Sequence, residues 1–318
     1  MLSQLLALLS DGRFHSGDDL GQILGVSRAA IWKQMKKLDE LDIPYSSVKG
    51  KGYRLQDAIE LLDQASIEQQ MSDRLDRLDI LLDVDSTNSW LYQRAPDHLG
   101  KRYAVLAEKQ HQGRGRRGRH WVSPFGKNIY LSFLVTLPGT LAEQEGLSLM
   151  VAIALEKALL ALGIEGAGLK WPNDVYIEDK KVAGILLEGC QTQPGFCQIV
   201  IGIGLNLALN PQDAERIEQP WTALRHYQPG LSRNTVAAVL LQQLNWAVDE
   251  FQRDGFGPWM AYWAERDVFY RKEVVLSGLA EPRYGVVKGV NRKGELLLQT
   301  TRGIEVVIAG ELSVRPVN

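Results

Sequence analysis

A short basic segment is the part of this sequence whose residue types most plainly suggest chemistry. Residues 113–119 read Gly-Arg-Gly-Arg-Arg-Gly-Arg, so four arginines alternate with three glycines. Glycines let backbone N–H groups approach a phosphate closely, and guanidinium groups supply planar, bidentate positive charge. The composition therefore indicates an anion-binding loop. Because its charges repel one another, we expect the loop to be mobile until a polyanion neutralises it.

The same segment has two other interpretations. It contains the GxGxxG pattern of dinucleotide-binding folds, but that pattern requires a helix to open directly after the loop. Here the chain continues His-Trp-Val-Ser-Pro-Phe-Gly over residues 120–126, which does not favour a helix. A solvated basic loop, or an Arg-Gly segment that contacts RNA, remains open from the residues alone.

Three further polar segments could take part in the same chemistry. Residues 86–88, Ser-Thr-Asn, follow residues 81–85 at a predicted strand end and offer donors and acceptors to a polar heterocycle. Residues 170–174, Lys-Trp-Pro-Asn-Asp, combine a cation for phosphate, a carboxylate for Mg²⁺ and a flat indole. Lys181 begins an apolar strand and could point into a pocket to pair with an acyl carboxylate. Each segment also has an ordinary interpretation, respectively a turn and helix cap, a buried Trp in a proline turn, and a solvated lysine.

Composition restricts the classes of protein to which the chain can belong. Its 318 residues suit two to three domains or one large one, and 45% hydrophobic with 23% charged residues is ordinary for a globular chain. The formal net charge of -2 means that any nucleic-acid contact must come from a local patch. Two cysteines, Cys190 and Cys197, exclude a disulfide scaffold and a structural zinc cage. The leucine run at 2–9 is too short for a membrane span and no export signal is visible, so we expect a cytoplasmic protein without a membrane partner.

The first 60 residues predict a winged helix-turn-helix domain. Ser16 and Ser27 are candidate N-caps of two short helices, and the helix-turn-helix covers about residues 17–36. Two short strands follow around the basic, glycine-rich turn at 49–52, which is typical of a wing.

This domain carries a local positive charge. Residues 26–54 contain seven basic and three acidic side chains, hence a net charge of +4 in a chain of net charge -2. Such a patch predicts contact with DNA phosphates through the second helix and the wing. The candidate DNA-binding residues are Ser27, Arg28, Lys33, Lys36, Lys37, Lys49 and Lys51. A winged helix kept for folding or protein contact remains an alternative, and the pattern leaves open whether Trp32 packs or reads DNA.

The rest of the chain predicts two further domains. Between residues 63 and 270, β-branched runs alternate with helical patterns at 146–162 and 234–251, which favours a mixed α/β or α+β domain around one sheet. From 271 to 318, short strands alternate with turns, which is typical of a small β-barrel. The last of these strands is predicted at 312–314.

Taken together, these segments resemble those of the biotin–protein ligases, and closely those of the bifunctional kind that is also the biotin operon repressor. The resemblance extends over nearly the whole chain. It rests on Asp-Ser-Thr-Asn at 85–88, Gln110 with the Arg-Gly loop at 113–119, residues 170–174, residues 181–184, and Gly-Ile-Gly-Leu-Asn at 202–206. The fold that it implies is α+β, with a winged helix-turn-helix over 1–60, a mixed α/β ligase domain around one sheet over 63–270, and an SH3-like β-barrel over 271–318.

The resemblance also implies a reaction. Biotin and MgATP give biotinyl-5′-AMP and pyrophosphate, and the adenylate then acylates a lysine of a biotin carboxyl carrier protein. Arg116 and Lys181 are the implied catalytic residues. The residues implied to bind biotin and its adenylate are Ser86, Thr87, Asn88, Gln110, Arg114, Gly115, Arg116 and Lys181. A second set, implied to contact ATP or the adenylate, is Arg117, Arg119, Lys170, Asn173, Asp174 and Trp221.

With the adenylate bound, the resemblance implies a homodimer that binds the operator DNA of the biotin operon. Mg²⁺ is expected to enter with ATP, without a separate protein metal site. Two alternatives remain: a non-catalytic, biotin-sensing DNA-binding regulator, and a ligase whose winged helix no longer regulates transcription. The arginines of the 113–119 loop favour the enzyme, because sensing biotin alone does not require phosphate-binding groups.

Overall fold

A computed structural model describes residues 1–209, 211–215, 217–278, 282–308 and 313–316. They form a small N-terminal helical domain, a seven-stranded sheet covered by helices, and a five-stranded sheet near the C-terminus. The fold is mixed α and β around a central sheet, as predicted. Within the described ranges, no helix is long and apolar enough to cross a membrane.

The N-terminal domain contains the predicted helix-turn-helix and a two-stranded wing. Ser16 Oγ accepts a hydrogen bond from Asp19 N at 3.0 Å, and Ser27 Oγ accepts one from Ala30 N at 3.2 Å, so both predicted N-caps are confirmed. Gly25 ends the first of the two helices with a φ of 66°, a left-handed conformation that favours glycine. The elements are α1 (Leu2–Leu9), α2 (Gly17–Leu24), α3 (Arg28–Glu40), β1 (Tyr45–Val48) and β2 (Gly52–Leu55).

The central domain is built on one mixed sheet. Its strands are β3 (Arg77–Leu81), β4 (Tyr103–Ala107), β5 (Ile129–Pro138), β6 (Ala167–Lys170), β7 (Asp174–Ile177), β8 (Lys180–Gln193) and β9 (Phe196–Leu205). They lie in the order β3-β4-β5-β9-β8-β7-β6, in which β3 and β4 are parallel and the other neighbours antiparallel. The helices are α4 (Gln64–Gln70), α5 (Thr87–Arg94), α6 (Leu147–Ala161), α7 (Arg233–Asp254) and α8 (Met260–Arg266).

Side-chain alternation along the strands explains why helices cover both faces of this sheet. On β4, Ala104 and Leu106 belong to the main core, which also contains the buried apolar residues of α6 and α7. Tyr103 and Val105 point the opposite way and pack with Leu91 of α5 in a separate core. The strand is buried on both faces, which accounts for its uninterrupted apolar sequence.

The C-terminal part forms an antiparallel sheet of five strands. They are β10 (Glu273–Ser277), β11 (Arg283–Val290), β12 (Leu296–Thr300), β13 (Gly303–Val307) and β14 (Ser313–Pro316), in the order β13-β12-β11-β10-β14. Leu312, where the last strand was predicted to begin, lies outside the described residues. This sheet shares the main core of the central domain, and Trp171 Nε1 donates a hydrogen bond to Gly294 O at 3.0 Å between the two.

One predicted strand end differs from the structure. Strand β3 stops at Leu81, and the chain then turns, so residues 86–88 do not follow a strand directly. Ser86 is instead the N-cap of α5, where its Oγ accepts from Ser89 N at 3.5 Å. The helix-cap interpretation of this segment is therefore correct, because a small hydroxyl side chain satisfies a free N–H at the helix start.

A buried ion pair attaches the segment between the two domains to the central sheet. Glu108 and Arg233 are 1% and 0% exposed and lie 2.5 Å apart, between Glu108 Oε2 and Arg233 NH1. Glu108 Oε1 also accepts from Leu62 N at 2.6 Å, and Arg233 NH1 donates to Glu60 O at 2.7 Å. The next residue, Lys109, contacts the N-terminal domain. These contacts place the start of the 113–119 loop close to the domain junction.

Candidate active site

A buried polar cluster marks the start of α5. Ser86, Thr87 and Asn88 are 3%, 4% and 4% exposed. Gln110 Oε1 accepts hydrogen bonds from Thr87 N at 2.9 Å and from Thr87 Oγ1 at 3.0 Å. Ser132 Oγ, on β5, donates to Thr87 Oγ1 at 2.7 Å and lies 2.5 Å from Asn88 Oδ1. The structure thus brings together the predicted residues of two distant segments, and their donors and acceptors suit a polar heterocycle.

A glutamate that was not predicted joins this cluster to the Arg-Gly loop. Asn88 Nδ2 donates to Glu188 Oε2 at 2.8 Å, and Arg114 NH2 donates to the same oxygen at 3.0 Å. Ser132 was not predicted either. Both residues are polar positions in largely apolar strands, β8 and β5, and that is the sequence signal by which they could have been found.

The indole of Trp121 lies over two glycines of the sheet. Gly184 and Gly204 are register partners on β8 and β9. A Cβ at Gly204 would come within 2.3 Å of Trp121 Cε2, and a Cβ at Gly184 within 3.1 Å of Trp121 Cζ3. Gly202 must also lack a side chain, because a Cβ at this position would lie 2.3 Å from Asn88 Oδ1. Trp121 Nε1 is buried without a hydrogen-bond partner among the described residues, so this unpredicted residue offers a ligand a free donor.

The Arg-Gly loop closes on itself. Gly115 N donates to Arg119 O at 2.7 Å, and Trp121 N donates to Gly113 O at 2.8 Å. Arg117 has a φ of 62°, which is left-handed and costly for a residue with a Cβ. The turn brings Arg117 and Arg119 near enough for their charges to act on Arg116, as is expected of an anion-binding loop. The predicted mobility of the loop stays a prediction.

Arg116 of this loop contacts the turn between β6 and β7. Its NH1 donates to Asn173 Oδ1 at 3.2 Å, and Asn173 Nδ2 in turn donates to Ile185 O at 2.7 Å. Burial, and then the charges of Arg117 and Arg119, lower the pKa of the Arg116 guanidinium below its usual value. A guanidinium that has lost part of its hydration interacts strongly with an anionic ligand.

Two lysines and one carboxylate lie beside Arg116. Lys181 Nζ is 2.7 Å from Asp174 Oδ1, with side chains 12% and 16% exposed. Lys170 Nζ donates to Tyr176 OH at 2.9 Å, and burial lowers the pKa of this lysine. The cations Arg116, Lys170 and Lys181 thus outnumber the Asp174 carboxylate beside them, so this part of the site has a net positive charge that can attract an anion.

Trp221 is held next to Lys181 by backbone pairing. Lys181 N donates to Pro220 O at 3.0 Å, and Thr222 N donates to Lys181 O at 3.0 Å. The structure therefore places this predicted aromatic residue at the cationic side of the site, although it is 40 positions from Lys181 in the sequence.

The predicted DNA-binding residues are all exposed. Ser27 uses its hydroxyl as the cap of α3, and Arg28 NH1 lies 3.6 Å from Asp18 Oδ2. The five lysines lie on α3 and in the turn between β1 and β2, so both the helix and the wing carry positive charge.

The carboxylates of the site suit a metal ion only in company with a substrate. Among the residues that the structure describes, no group of three or more His, Cys, Asp and Glu side chains could hold a metal ion. Asp174 supplies one carboxylate next to the cations. Mg²⁺ is often held by one or two carboxylates together with substrate phosphates, so this arrangement fits an ion that arrives with ATP.

Comparison with known proteins agrees with this site. Residues 83–206 match the model of the biotin/lipoate A/B protein ligase family, and residues 2–54 match an HTH domain model. The chain is 39% identical to the bifunctional ligase/repressor BirA of Escherichia coli K12 over 98% of its own length and 96% of that protein. It is 36% identical to the biotin--[acetyl-CoA-carboxylase] ligase of Paracoccus denitrificans, over 73% of this chain and 98% of that one.

A solved structure agrees as well. The biotin protein ligase of Aquifex aeolicus in complex with biotin and ATP superposes with a TM-score of 0.66 at 29% identity, over 76% of this chain and 100% of that one. The chain therefore belongs to the biotin protein ligase family, in its branch of bifunctional ligase/repressors. As an enzyme it is a biotin–[acetyl-CoA-carboxylase] ligase.

Proposed function

We propose that the protein converts biotin and ATP to biotinyl-5′-AMP and pyrophosphate, and then transfers the biotinyl group to a lysine of a biotin carboxyl carrier protein. One observation carries this proposal. Trp121 lies over Gly204, two residues along β9 from Gly202, which contacts Asn88 of the polar cluster, and on its other side the Trp121 ring centroid is 5.4 Å from Lys181 Nζ. Biotin has the matching polarity, with a neutral ureido ring at one end and a carboxylate at the other.

The proposed binding residues divide between the two ends of biotin. Ser86, Thr87, Asn88 and Gln110 bind the ureido ring by hydrogen bonds. At the other end Arg116 and Lys181, with the backbone of Gly115, hold the carboxylate and the phosphate. Arg114, which shares an oxygen of Glu188 with Asn88, binds biotin from the side of the polar cluster. The remaining residues, which contact ATP or the adenylate around this centre, are Arg117, Arg119, Lys170, Asn173, Asp174 and Trp221.

Adenylation joins two anions, and the cations make that approach possible. A carboxylate oxygen of biotin attacks the α-phosphorus of ATP, and pyrophosphate leaves with the bonding electron pair. Arg116 and Lys181 offset the repulsion between the reacting anions and stabilise the charge that builds up on the α-phosphate. Asp174 would help to hold a Mg²⁺ ion that enters with ATP, and that ion would supply positive charge to the leaving pyrophosphate.

Transfer needs no nucleophile from this chain. The neutral ε-amine of the carrier lysine attacks the carbonyl carbon of the mixed anhydride, AMP leaves, and the amine loses a proton to give the amide. Until then the anhydride must be kept from water, and the Arg-Gly loop with Trp121 covers it.

The N-terminal domain supports a second proposed role. We propose that the adenylate-bound chain forms a homodimer that represses the biotin operon, with one winged helix on each half-site of the operator. We also propose that the chain has three domains, over residues 1–60, 63–270 and 271–318, and that the C-terminal sheet forms an SH3-like barrel. We also propose that the protein is cytoplasmic, because ATP and operator DNA are its proposed ligands.

Label transfer tests the catalytic proposal directly. The protein is incubated with biotin, ATP and a biotin carboxyl carrier domain, and biotinylated carrier, pyrophosphate and AMP are measured. We expect all three products; operator binding without any of them would favour the non-catalytic, biotin-sensing regulator.

Sedimentation and operator binding with no ligand, with biotin alone, and with biotin plus ATP test the repressor. Identical results in all three conditions would leave a ligase whose winged helix does not regulate.

A further inference from the structure

Helix α3 presents an aromatic side chain to solvent. Trp32 is 50% exposed, whereas Ile31, Met35 and Leu38 of the same helix are no more than 1% exposed and pack in the domain core. That buried stripe attaches the helix to the rest of the domain. The indole of Trp32 is not part of that stripe, and an indole with one side open to solvent can contact a partner.

The indole lies among cations. Lys36 Nζ is 4.0 Å from the centroid of the Trp32 ring, and Lys33 is exposed next to it. Ala29, three residues before Trp32 on the helix, is exposed as well and adds a methyl group. The outward face of α3 therefore has an apolar centre within a positively charged rim.

We propose that Trp32 reads base sequence by packing against the C5-methyl group of thymine in the major groove of the operator. This inference rests on the operator binding proposed above. Thymine is the only base that offers an apolar group in the major groove, and the rim lysines would contact phosphates, which position the helix without specifying sequence.

The position of Trp32 and the chemistry of the bases favour this contact over others. Trp32 is in the first half of α3, which spans Arg28–Glu40, and the N-terminal part of a recognition helix is the part that meets base edges. An indole ring laid on the edge of a G·C pair has one N–H donor, so it would remove water from two acceptors and one amino group and could pair at most one of them. Contact with a methyl group has no such cost.

Uracil scanning tests the proposal. Duplexes are selected from a random pool by the full-length chain in the presence of biotin and ATP, and each thymine of the selected duplex is replaced singly by uracil, which lacks only the methyl group. For the native chain we expect replacement at one thymine in each half-site to weaken binding about fourfold, as for one buried methyl-sized group. Trp32→Ala should bind the unmodified duplex at least about tenfold less tightly and no longer distinguish thymine from uracil.

Two variants and one measurement serve as controls. Ile23 is 60% exposed in the same domain but lies on α2, so Ile23→Ala should keep the uracil effect. Trp32→Phe retains an aromatic ring and should keep part of it. The salt dependence of binding should be the same for Trp32→Ala and the native chain, because the lysine contacts with phosphates remain and the domain remains folded.

The outcomes separate this inference from the function on which it rests. A selected duplex that gives the same uracil profile with the native chain and with Trp32→Ala overturns the assignment to Trp32 and leaves operator binding intact. Failure to enrich any duplex overturns operator binding itself, and the Trp32 assignment with it.

Discussion

Lys181 allows a sharp test of the proposed chemistry, because a matched lysine precedes it in the sequence. Lys181 is 12% exposed in its ion pair with Asp174, whereas Lys180 is exposed and follows the strand alternation to the other face. Lys181→Gln removes the cation beside the proposed carboxylate site but keeps a polar side chain. Lys180→Gln removes the same charge from the same strand without touching the site.

The structure sets the expected size of the effect. A hydrogen bond between Lys181 and an anionic reacting group contributes about 1.5–3 kcal/mol, which corresponds to a loss of roughly 10- to 150-fold in kcat/KM for biotin. The free energy of unfolding should fall by only about 1–2 kcal/mol, because both ends of the Lys181–Asp174 pair keep some access to water. Activity should therefore fall roughly 10- to 150-fold in a chain that stays folded, because a loss of about 1–2 kcal/mol leaves most of an ordinary unfolding free energy.

Pyrophosphate release at varied biotin and saturating ATP measures the first quantity, and urea unfolding measures the second. Lys180→Gln should match the native chain in both measurements. If Lys181→Gln released pyrophosphate at the native rate, Lys181 would be only a structural partner of Asp174, and the assignment of the carboxylate site would be wrong.

Three further predictions concern the loop, the buried ion pair and pH. Arg116→Gly should raise the dissociation rate of biotinyl-5′-AMP at least about tenfold, and more than Arg117→Gly, since Arg117 is exposed; equal rates in stopped-flow measurements would contradict this role. Arg233→Met should lower the unfolding free energy by about 3–5 kcal/mol, because it leaves the buried Glu108 carboxylate without its cation. Adding Glu108→Leu should recover most of that loss in urea unfolding, and a double variant as unstable as Arg233→Met would refute this reasoning. Burial raises the pKa of Asp267 to about 6, so the folded state holds this proton more tightly than the unfolded state, and stability falls as pH rises from about 4 to 6. Asp267→Asn should lack this loss, so the difference in unfolding free energy between the variant and the native chain should shift by about 2–3 kcal/mol in favour of the variant between pH 4 and pH 7. Curves of unfolding free energy against pH that run parallel for the two chains would contradict this prediction.

Local sequence determined the elements and the chemistry they carry. Ser16 and Ser27 cap α2 and α3 as predicted, because each cap depends on an N–H only three residues away. The Arg-Gly loop was identified from its composition, since an anion-binding loop needs backbone freedom and charge within a few residues of each other. The segment at 86–88 shows the limit of such patterns, since the same small polar residues suit a strand end and a helix cap.

Only the tertiary structure decided which of these residues meet. The hydrogen bond between Asn88 and Glu188 joins residues that are 100 positions apart in the sequence. The ion pair between Lys109, which precedes Gln110 of the site, and Asp42 of the N-terminal domain has a length of 2.8 Å and joins residues 67 positions apart. The packing of Trp121 against the sheet could not be predicted, because it depends on Gly204 lying beneath the indole. Such contacts follow from which strands are neighbours, and the order β3-β4-β5-β9-β8-β7-β6 is set by packing the whole core, which no local pattern encodes.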